Sequence, residues 1–282
     1  MTRLSIVIVT YNSGADIHAC LGSLARHPPR LDHEILVVDN ASTDGTGTAV
    51  RERWPAIRVI DAGANVGFAR ATNLGIRHST GELLLLLNPD AEVGRGAVDV
   101  LAAALDSHPG AAVAGPRLVD AGGRVELSFG AMLGPVAELR QKVLVGGSRR
   151  GLPIISGYVE RLTRRPRTVD WVSGACLLVR RADADAVGLL DERYFMYAED
   201  VDFCAAIRAR GRAVLFTPAA EVVHVRGRSV ASAPAATAAA YRRSQLAFYA
   251  KHHPRWLPLL RAYLKFRGRL PDMPIERPGS TR

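Results

Sequence analysis

Short apolar runs that end in polar residues constrain this chain more than any other feature of its sequence. The runs cover residues 4–10, 34–39, 57–61, 82–87 and 111–115. Residues 35–38 and 83–87 are continuously apolar, which is typical of strands covered by helices on both faces. Helical patterns fall between the first four runs, at residues 15–26, 46–53 and 67–77. We therefore predict an α/β fold in which helices flank a sheet with parallel strands.

The composition agrees with a globular protein. The 282 residues are 48% hydrophobic and 23% charged, which is enough chain for a large core. Cys20, Cys176 and Cys204 are scattered without the spacing of a disulfide framework or a zinc site, so we expect a reducing compartment. The first apolar run is too short for a signal peptide, and no stretch approaches the roughly 20 apolar residues that cross a bilayer. We expect a cytoplasmic protein that does not span a membrane.

The excess of positive charge is confined to one end. The net charge is +10, and residues 226–282 contain 12 Lys or Arg and 2 Asp or Glu, which leaves 25 of each in the remainder. Basic residues and apolar anchors are interleaved there: Arg242, Arg243, Lys251, Arg255, Arg261, Lys265, Arg267 and Arg269 with Phe248, Tyr249, Trp256, Leu257, Leu260, Tyr263 and Phe266. This pattern favours a helical extension on an anionic membrane face, here the inner face of the cell membrane. A solvated tail, a lid packed on the domain and a dimer contact remain as alternatives.

Polar residues follow the predicted strands at the edge where ligands of open α/β sheets bind. These residues include Thr10, Tyr11, Asn12, Asp39, Asn65, Asn88 and Asp90. The chain has neither a G-x-x-x-x-G-K-[ST] loop nor a G-x-G-x-x-G after its first strand, which disfavours ATPases and Rossmann dehydrogenases.

Several of these motifs occur together in one order. They are Val9-Thr10-Tyr11-Asn12, Val38-Asp39-Asn40-Ala41-Ser42, Asn65-Val66-Gly67-Phe68-Ala69-Arg70, Asn88-Pro89-Asp90, Ser173-Gly174-Ala175, Glu199-Asp200-Val201-Asp202 and His224. The set resembles glycosyltransferase family two, with its GT-A fold, over about residues 4 to 252. The Asn-Pro-Asp variant and the block from Asn65 to Arg70 look most like the rhamnosyltransferase branch of cell-wall and polysaccharide assembly. The resemblance implies a nucleotide-binding, Rossmann-like mixed sheet and an inverting sugar transfer from a nucleotide diphosphate to a hydroxyl.

The resemblance also assigns roles to individual residues on the donor side. The expected nucleotide-sugar-binding residues are Thr10, Tyr11, Asn12, Asp39, Asn65, Gly67, Arg70, Asn73 and Asn88. Asp39 would accept hydrogen bonds from the base or ribose, although an Asx-turn explains an aspartate there equally well. Arg70 would bind the diphosphate in bidentate fashion, unless it is a solvated surface residue. Asp44, by contrast, is predicted to cap the helix that follows it.

Metal and acceptor residues follow from the same resemblance. Asp90 and His224 would hold Mg²⁺ or Mn²⁺, with Asn88 standing where the family usually has a second aspartate. Asp200 would be the catalytic base, although acidic residues at a helix start also favour the macrodipole. Glu199, Trp171, Gly174 and Ala175 would bind the acceptor, Trp171 as a stacking wall.

The predicted division of the chain follows these roles. Residues 1–117 form the nucleotide-sugar-binding half and residues 118–168 a flexible basic excursion near the acceptor. Residues 169–230 form the acceptor-binding and catalytic half, and residues 231–282 the basic helical extension. We expect dTDP-rhamnose as the donor and a glycan or polyprenyl-diphosphate-linked acceptor, with no nucleic acid; a homo-oligomer is compatible with the sequence. The alternatives are a nucleotidyltransferase that makes nucleotide sugars, and a non-catalytic protein that binds sugar nucleotides or polyanions.

Overall fold

The computed structural model describes residues 2–225 and 234–271. Residues 226–230 of the predicted catalytic half, and residues 231–233 and 272–282 of the predicted basic extension, lie outside the described residues. The described residues form a ten-stranded sheet with the order β3-β2-β1-β4-β11-β6-β12-β5, in which β7 also pairs with β6 and β9 also pairs with β12. Strands β8 and β10 form a separate pair. The strands are β1 (Leu4–Thr10), β2 (His33–Asp39), β3 (Arg58–Asp61), β4 (Leu83–Leu87), β5 (Ala91–Val93), β6 (Ala111–Val119), β7 (Val125–Glu126), β8 (Phe129–Gly130), β9 (Arg167–Val169), β10 (Trp171–Val172), β11 (Cys176–Arg180) and β12 (Ala213–His224).

Ten α-helices surround the sheet in the described part of the chain. They are α1 (Gly14–Arg26), α2 (Thr46–Arg53), α3 (Phe68–Arg77), α4 (Ala97–Ser107), α5 (Pro135–Arg149), α6 (Pro153–Leu162), α7 (Arg181–Ala186), α8 (Glu199–Ala209), α9 (Pro234–His252) and α10 (Leu257–Phe266), with a 3-10 turn at Pro254–Trp256. Ile6 and Leu85 pack into the core on one face of the sheet, whereas Val7 and Leu84 pack into the core on the other. This double coverage explains the continuously apolar runs.

The polarity of the strands decides which residues meet. β1 is parallel to β2 and β4, whereas β11 runs antiparallel between β4 and β6, and β12 is parallel to β6. The carboxyl ends of β1, β2, β4, β6 and β12 therefore share one edge of the sheet, and the amino end of β11 joins them there. A mixed α/β sheet flanked by helices was expected, and the structure confirms it.

The stretch that joins β6 to β9 differs from the sequence prediction. Residues 118–168 were predicted to be a flexible basic excursion, but α5 and α6 account for about half of the stretch, 25 of its 51 residues. Their regular pattern was missed because much of their apolar surface faces outward and because glycines at positions 146, 147 and 151 interrupt it.

The C-terminal segment divides into a packed helix and an exposed one. Phe248 and Tyr249 of α9 are buried in the main core, so this helix packs on the domain as one of the sequence alternatives held. On α10 only Leu264 is fully buried. None of the described helices is long and apolar enough to cross a membrane.

Candidate active site

The two acids assigned to the nucleotide side lie at neighbouring strand ends. Asp39 ends β2, which pairs with β1, and Asp90 follows β4 on the other side of β1. Adjacent strands are about 4.8 Å apart, so the two positions belong to one edge roughly two strand spacings wide. Asp39 is 8% exposed, and its Oδ1 accepts a hydrogen bond of 3.0 Å from the Ser42 amide. The carboxylate thus forms the Asx-turn and still reaches the surface of the edge.

An amide network joins the end of β2 to the start of α3. Asn40, buried at 4% exposure, donates from Nδ2 to Asn65 Oδ1 at 3.0 Å and accepts from the Val66 amide at 3.0 Å. The Gly67 amide donates to the same Asn65 oxygen at 3.2 Å. Asn40 was not among the predicted site residues, although it follows Asp39 directly. The network fixes the conformation of the loop before α3, which carries the exposed Asn65.

At the end of β1, an exposed tyrosine lies between a buried threonine and a hydrogen-bonded asparagine. Tyr11 is 46% exposed, and Asn12 accepts a hydrogen bond of 2.8 Å at Oδ1 from the Thr43 amide. Thr10 is fully enclosed and its Oγ1 has no hydrogen-bond partner in the described structure, so its side chain has no exposed surface, and its role as a nucleotide contact stays a prediction. Asp44 accepts hydrogen bonds from the amide and hydroxyl of Thr46, the first residue of α2, but Gly45 occupies the N-cap position, so the prediction of Asp44 as the N-cap is wrong by one residue.

Two further donor-side predictions are corrected by packing. Asn73 is 1% exposed, and its amide group is bonded to the backbone of Leu190 and to Glu192, so it fastens α3 to the loop before α8. Gly67, at φ +85°, leaves no room for a side chain because a Cβ would lie 2.6 Å from the Phe195 carbonyl oxygen. The glycine therefore admits the loop before α8 and not a diphosphate.

Arg70 lies on the exposed side of α3. Its side chain is 64% exposed and its Nε is 3.8 Å from Glu192 Oε2, a loose pair that leaves the guanidinium accessible. A cavity of about 360 Å³ opens nearby, lined by Asn73, Arg77, residues 187–192, Asp202, Ala206 and Lys251. Its charged groups pair with one another, as Arg77 does with Glu192 at 3.2 Å and Lys251 with Asp191 at 2.8 Å. This cavity is therefore a closed charge network rather than a site for an ionic ligand.

Asp200 is connected to the end of β4 by a short series of hydrogen bonds. Its Oδ2 accepts from the Gly174 amide at 2.8 Å, and the carbonyl of Ala175 accepts from the Asn88 amide at 2.9 Å. Asn88 is two residues before Asp90. The antiparallel direction of β11 thus brings the predicted base and the predicted metal ligand to the same edge.

Glu199 lies beside Asp200 but is enclosed. It is 7% exposed, and its Oε2 is buried without a hydrogen-bond partner. Burial and the neighbouring Asp200 charge raise the pKa of the Glu199 carboxyl well above its ordinary value. Trp171 is also enclosed, at 9% exposure, with its Nε1 donating to the Ala131 carbonyl at 2.9 Å. Little of the Trp171 ring is exposed for stacking, and its role as an acceptor wall stays a prediction.

The loop before α8 is held in an unusual backbone conformation. Tyr197 and Ala198 have φ values of 71° and 67°, which L-residues other than Asn and Asp rarely adopt. Helix α9 supports this loop, since the Ser244 hydroxyl donates to the Met196 carbonyl at 2.7 Å and the Tyr241 ring packs edge-on against Tyr197. Such strain persists where surrounding contacts impose it, and it is concentrated at functional sites.

These converging motifs agree with the comparison against protein families. Residues 5–188 match the model described as "Glycosyl transferase family 2". The chain belongs to glycosyltransferase family 2.

Sequence relatives place this family 2 glycosyltransferase beside a rhamnosyltransferase. It is 35% identical over 273 residues to the N-acetylglucosaminyl-diphospho-decaprenol L-rhamnosyltransferase of Mycobacterium tuberculosis, covering 90% of this chain and 86% of the relative. Solved structures share its GT-A fold. A mannosyltransferase of Pyrobaculum calidifontis, in complex with GDP-Man and Mn²⁺, superposes with a TM-score of 0.62 at 22% identity, over 93% of this chain and 68% of that one. TarS of Staphylococcus aureus with UDP-GlcNAc gives 0.58 at 19% identity, over 94% and 73%.

The side chains at the carboxyl edge of this glycosyltransferase suit a divalent cation that also binds phosphate. Asp90 Oδ1 and His224 Nε2 are 3.3 Å apart, close to the roughly 3 Å that separates adjacent ligands of an octahedral ion with bonds near 2.1 Å. No group of three His, Cys, Asp or Glu side chains in residues 2–225 and 234–271 could hold a metal ion. One carboxylate, one imidazole and phosphate oxygens form a plausible donor set for Mn²⁺ or Mg²⁺.

Glu126 is a residue of this site that the sequence analysis missed. Its Oε2 is 3.3 Å from His224 Nδ1, and its side chain is 13% exposed. It reaches the edge because β7 pairs with the last residues of β6. Its two-residue strand lies in the poorly patterned stretch, so nothing in the local sequence pointed to it.

Proposed function

We propose that this glycosyltransferase transfers L-rhamnose from dTDP-rhamnose, with inversion, to a hydroxyl of a glycan linked to polyprenyl diphosphate. The donor and acceptor are supported by the similarity over 90% of the chain to a rhamnosyltransferase named for N-acetylglucosaminyl-diphospho-decaprenol. The observation that carries the mechanism is the pair of hydrogen bonds that links Asp200 to the segment before Asp90.

The reaction needs one proton acceptor and one site for the leaving group. Asp200 removes the proton from the acceptor hydroxyl as its oxygen forms a bond to the anomeric carbon. The bond between that carbon and the diphosphate breaks on the opposite face of the sugar, which inverts its configuration. Asp90 and His224 would hold a divalent cation, which would supply positive charge to neutralise the diphosphate leaving group. The Gly174 amide, which donates to Asp200 at 2.8 Å, holds the carboxylate in place.

The donor half of the site orients the nucleotide. Asp39 offers a carboxylate and the exposed Asn65 an amide group to base and ribose, Tyr11 offers an exposed ring, and Arg70 an accessible guanidinium. The raised pKa of Glu199 keeps its carboxyl protonated over a wider pH range than usual. A protonated Glu199 places less negative charge beside Asp200.

Contact with an anionic membrane is part of this proposal. Apolar side chains recur along one side of the last helix and its flanks at i, i+3, i+7, i+10 and i+14, all exposed: Trp256, Leu259, Tyr263, Phe266 and Leu270. Arg255, Arg261, Lys265, Arg267 and Arg269 surround them. This arrangement suits a helix lying in the membrane interface, beside a lipid-linked acceptor.

The decisive experiment is Asp200→Asn. We expect transfer from dTDP-rhamnose to fall by about 100- to 10,000-fold, because general base catalysis is lost, while donor binding is nearly unchanged. Asp99→Asn is the matched control, since Asp99 also lies in the first turn of a helix, α4, and would share any macrodipole effect. Equal turnover in Asp200→Asn and wild type would exclude Asp200 as the base. A panel of nucleotide sugars, tested for thermal stabilisation with and without Mn²⁺, identifies the donor independently.

A further inference from the structure

Helices α5 and α6 form an antiparallel helical hairpin. Arg140 of α5 donates to the Tyr158 hydroxyl of α6 at 2.9 Å, whereas further along α5 Gly147 lies against Ile155, near the start of α6. Three residues, 150–152, connect the two helices. One side of the hairpin rests on the domain: Val159 lies in the buried core, and Leu144, Val145, Ile155 and Leu162 pack against that core partly buried.

The outer surface of this hairpin is strongly apolar. Val136 is 80% exposed, Leu139 64% and Ile154 88%. Val143, Leu152 and Tyr158 are exposed as well. Single exposed apolar residues are normal on a protein, but this hairpin has five on its two helices and Leu152 in the connection between them, a concentration of the kind that marks an interaction surface.

The charge around the patch has one sign. Residues 131–167 contain eight Lys or Arg and two Asp or Glu, a net charge of +6. Both acids are occupied: Glu138 is buried and accepts from Gln245 at 2.7 Å, and Glu160 pairs with Arg117 at 2.8 Å. The exposed charges beside the apolar residues are therefore cationic: Arg140, Lys142, Arg149, Arg150, Arg161, Arg164 and Arg165.

The base of the hairpin is attached to the acceptor side of the candidate site. The Met132 amide donates to Asp170 Oδ2 at 2.7 Å, and β8 pairs with β10 directly before the Gly174 turn that holds Asp200. The same base meets the C-terminal segment, since His253 Nε2 lies 2.6 Å from the Leu133 carbonyl oxygen, four residues before α10. The α5–α6 hairpin and α10, both basic and both with exposed apolar residues, therefore begin close together next to the acceptor side.

We propose that the α5–α6 hairpin is a docking surface for an anionic lipid bilayer, and that it acts together with α10. Apolar side chains among cations complement the acyl boundary and the phosphate headgroups of such a bilayer at the same time. The inference deepens the proposed function and rests on it for one purpose: it places the lipid-linked acceptor in the membrane that the hairpin contacts.

Vesicle co-flotation of the full-length chain tests this surface without donor or acceptor. We expect binding to phosphatidylcholine vesicles that contain phosphatidylglycerol, weak binding to phosphatidylcholine alone, and loss of binding as salt is raised. Val136→Ser/Leu139→Ser/Ile154→Ser should weaken binding by about tenfold or more, because three apolar anchors are removed. Arg149→Gln/Arg150→Gln should weaken it as well, whereas Arg53→Gln/Arg95→Gln removes two exposed charges outside the hairpin and should bind more tightly than the hairpin charge variant.

The outcomes separate this inference from the proposed function. Vesicle binding that the hairpin variants leave at the wild-type level would overturn the docking surface. So would a wild-type dimer in light scattering that the triple variant converts to a monomer, since a second copy would then cover the patch. Transfer to a soluble, short-chain acceptor should be unchanged in the triple variant. If wild type transfers no rhamnose but its vesicle binding depends on the hairpin, the proposed function fails and the docking surface stands.

Discussion

His224 has a carboxylate at each nitrogen of its ring. Glu126 faces Nδ1 and Asp90 faces Nε2, each at 3.3 Å. A neutral imidazole carries one N–H, and a proton on Nδ1 directed at Glu126 leaves the Nε2 lone pair on the side of Asp90. A carboxylate behind a metal-binding histidine commonly fixes the ring in this way. We infer that Glu126 orients His224 for the cation.

Glu126→Gln tests this role through metal binding alone. We expect the affinity for Mn²⁺ in the presence of nucleotide to fall by about 10- to 100-fold, measured by electron paramagnetic resonance of the free ion. Glu92→Gln on β5 is the control, because it makes the same change on a strand paired with β12. An Mn²⁺ affinity equal to that of wild type would remove Glu126 from the metal site.

Glu199 predicts a specific pH dependence of stability. Its pKa in the folded chain is raised above the ordinary value of 4.5, so the native state holds a proton that the unfolded state releases. Stability is therefore lost as pH rises from 4.5 towards the native pKa. Glu199→Gln resembles the protonated form, and we expect its free energy of unfolding to exceed that of wild type increasingly over this range. Urea titrations at several pH values measure the difference, with exposed Glu52→Gln as the control; parallel pH profiles for wild type and Glu199→Gln would contradict the prediction.

At the scale of elements, the buried strands were predictable and the outward-facing helices were not. β1 begins and ends at the predicted residues, because a strand covered on both faces is apolar over most of its length. The predicted ends of the strands likewise indicated Asp39 and Asp90 as candidate site residues. The enclosure of Thr10 and Trp171, and the contact of Glu126 with His224, depend on the packing of distant segments, which no local pattern contains.

The contact between α3 and the loop before α8 can be tested at Gly67. In Gly67→Ala the new Cβ meets the Phe195 carbonyl in addition to the cost of a positive φ, so we expect destabilisation by about 1–3 kcal/mol and reduced turnover. Gly63→Ala has a similar φ of 75° but nothing within 4 Å of the Cβ, so it shows the cost of φ alone. Urea unfolding compares the two; equal destabilisation would mean that the loop yields freely.

At the scale of the molecule, Asp202 joins the C-terminal segment to the catalytic half. Its carboxylate, in a residue 2% exposed, contacts Lys251 at 2.8 Å and His252 at 2.6 Å, both at the end of α9. Burial alone would lower the pKa of Lys251, but its hydrogen bonds to Asp191 and Asp202 raise it. The first turn of α8 thus contains Asp200, which we propose as the catalytic base, and Asp202, which holds α9.

Asp202→Asn should separate these two roles. Removing one charge of a buried network costs about 3–5 kcal/mol, so we expect a clear loss of stability in urea unfolding. Asp200→Asn, two residues away and half-buried, should leave stability nearly unchanged while it abolishes transfer. The opposite pattern of stability and activity would exchange the roles of the two residues.

The pairing of β8 with β10 sets the two ends of the 131–170 stretch side by side, with the Asp170 amide bonded to the Gly130 carbonyl at 3.2 Å. Because these ends are close together and β9, at the end of the stretch, is held on β12, residues 131–166 can be lengthened or shortened without displacing the strands of the sheet. The rest of the GT-A fold can therefore stay unchanged while this segment varies. Changes in this segment can alter acceptor preference and membrane binding without moving Asp90, His224 and Asp200 relative to one another.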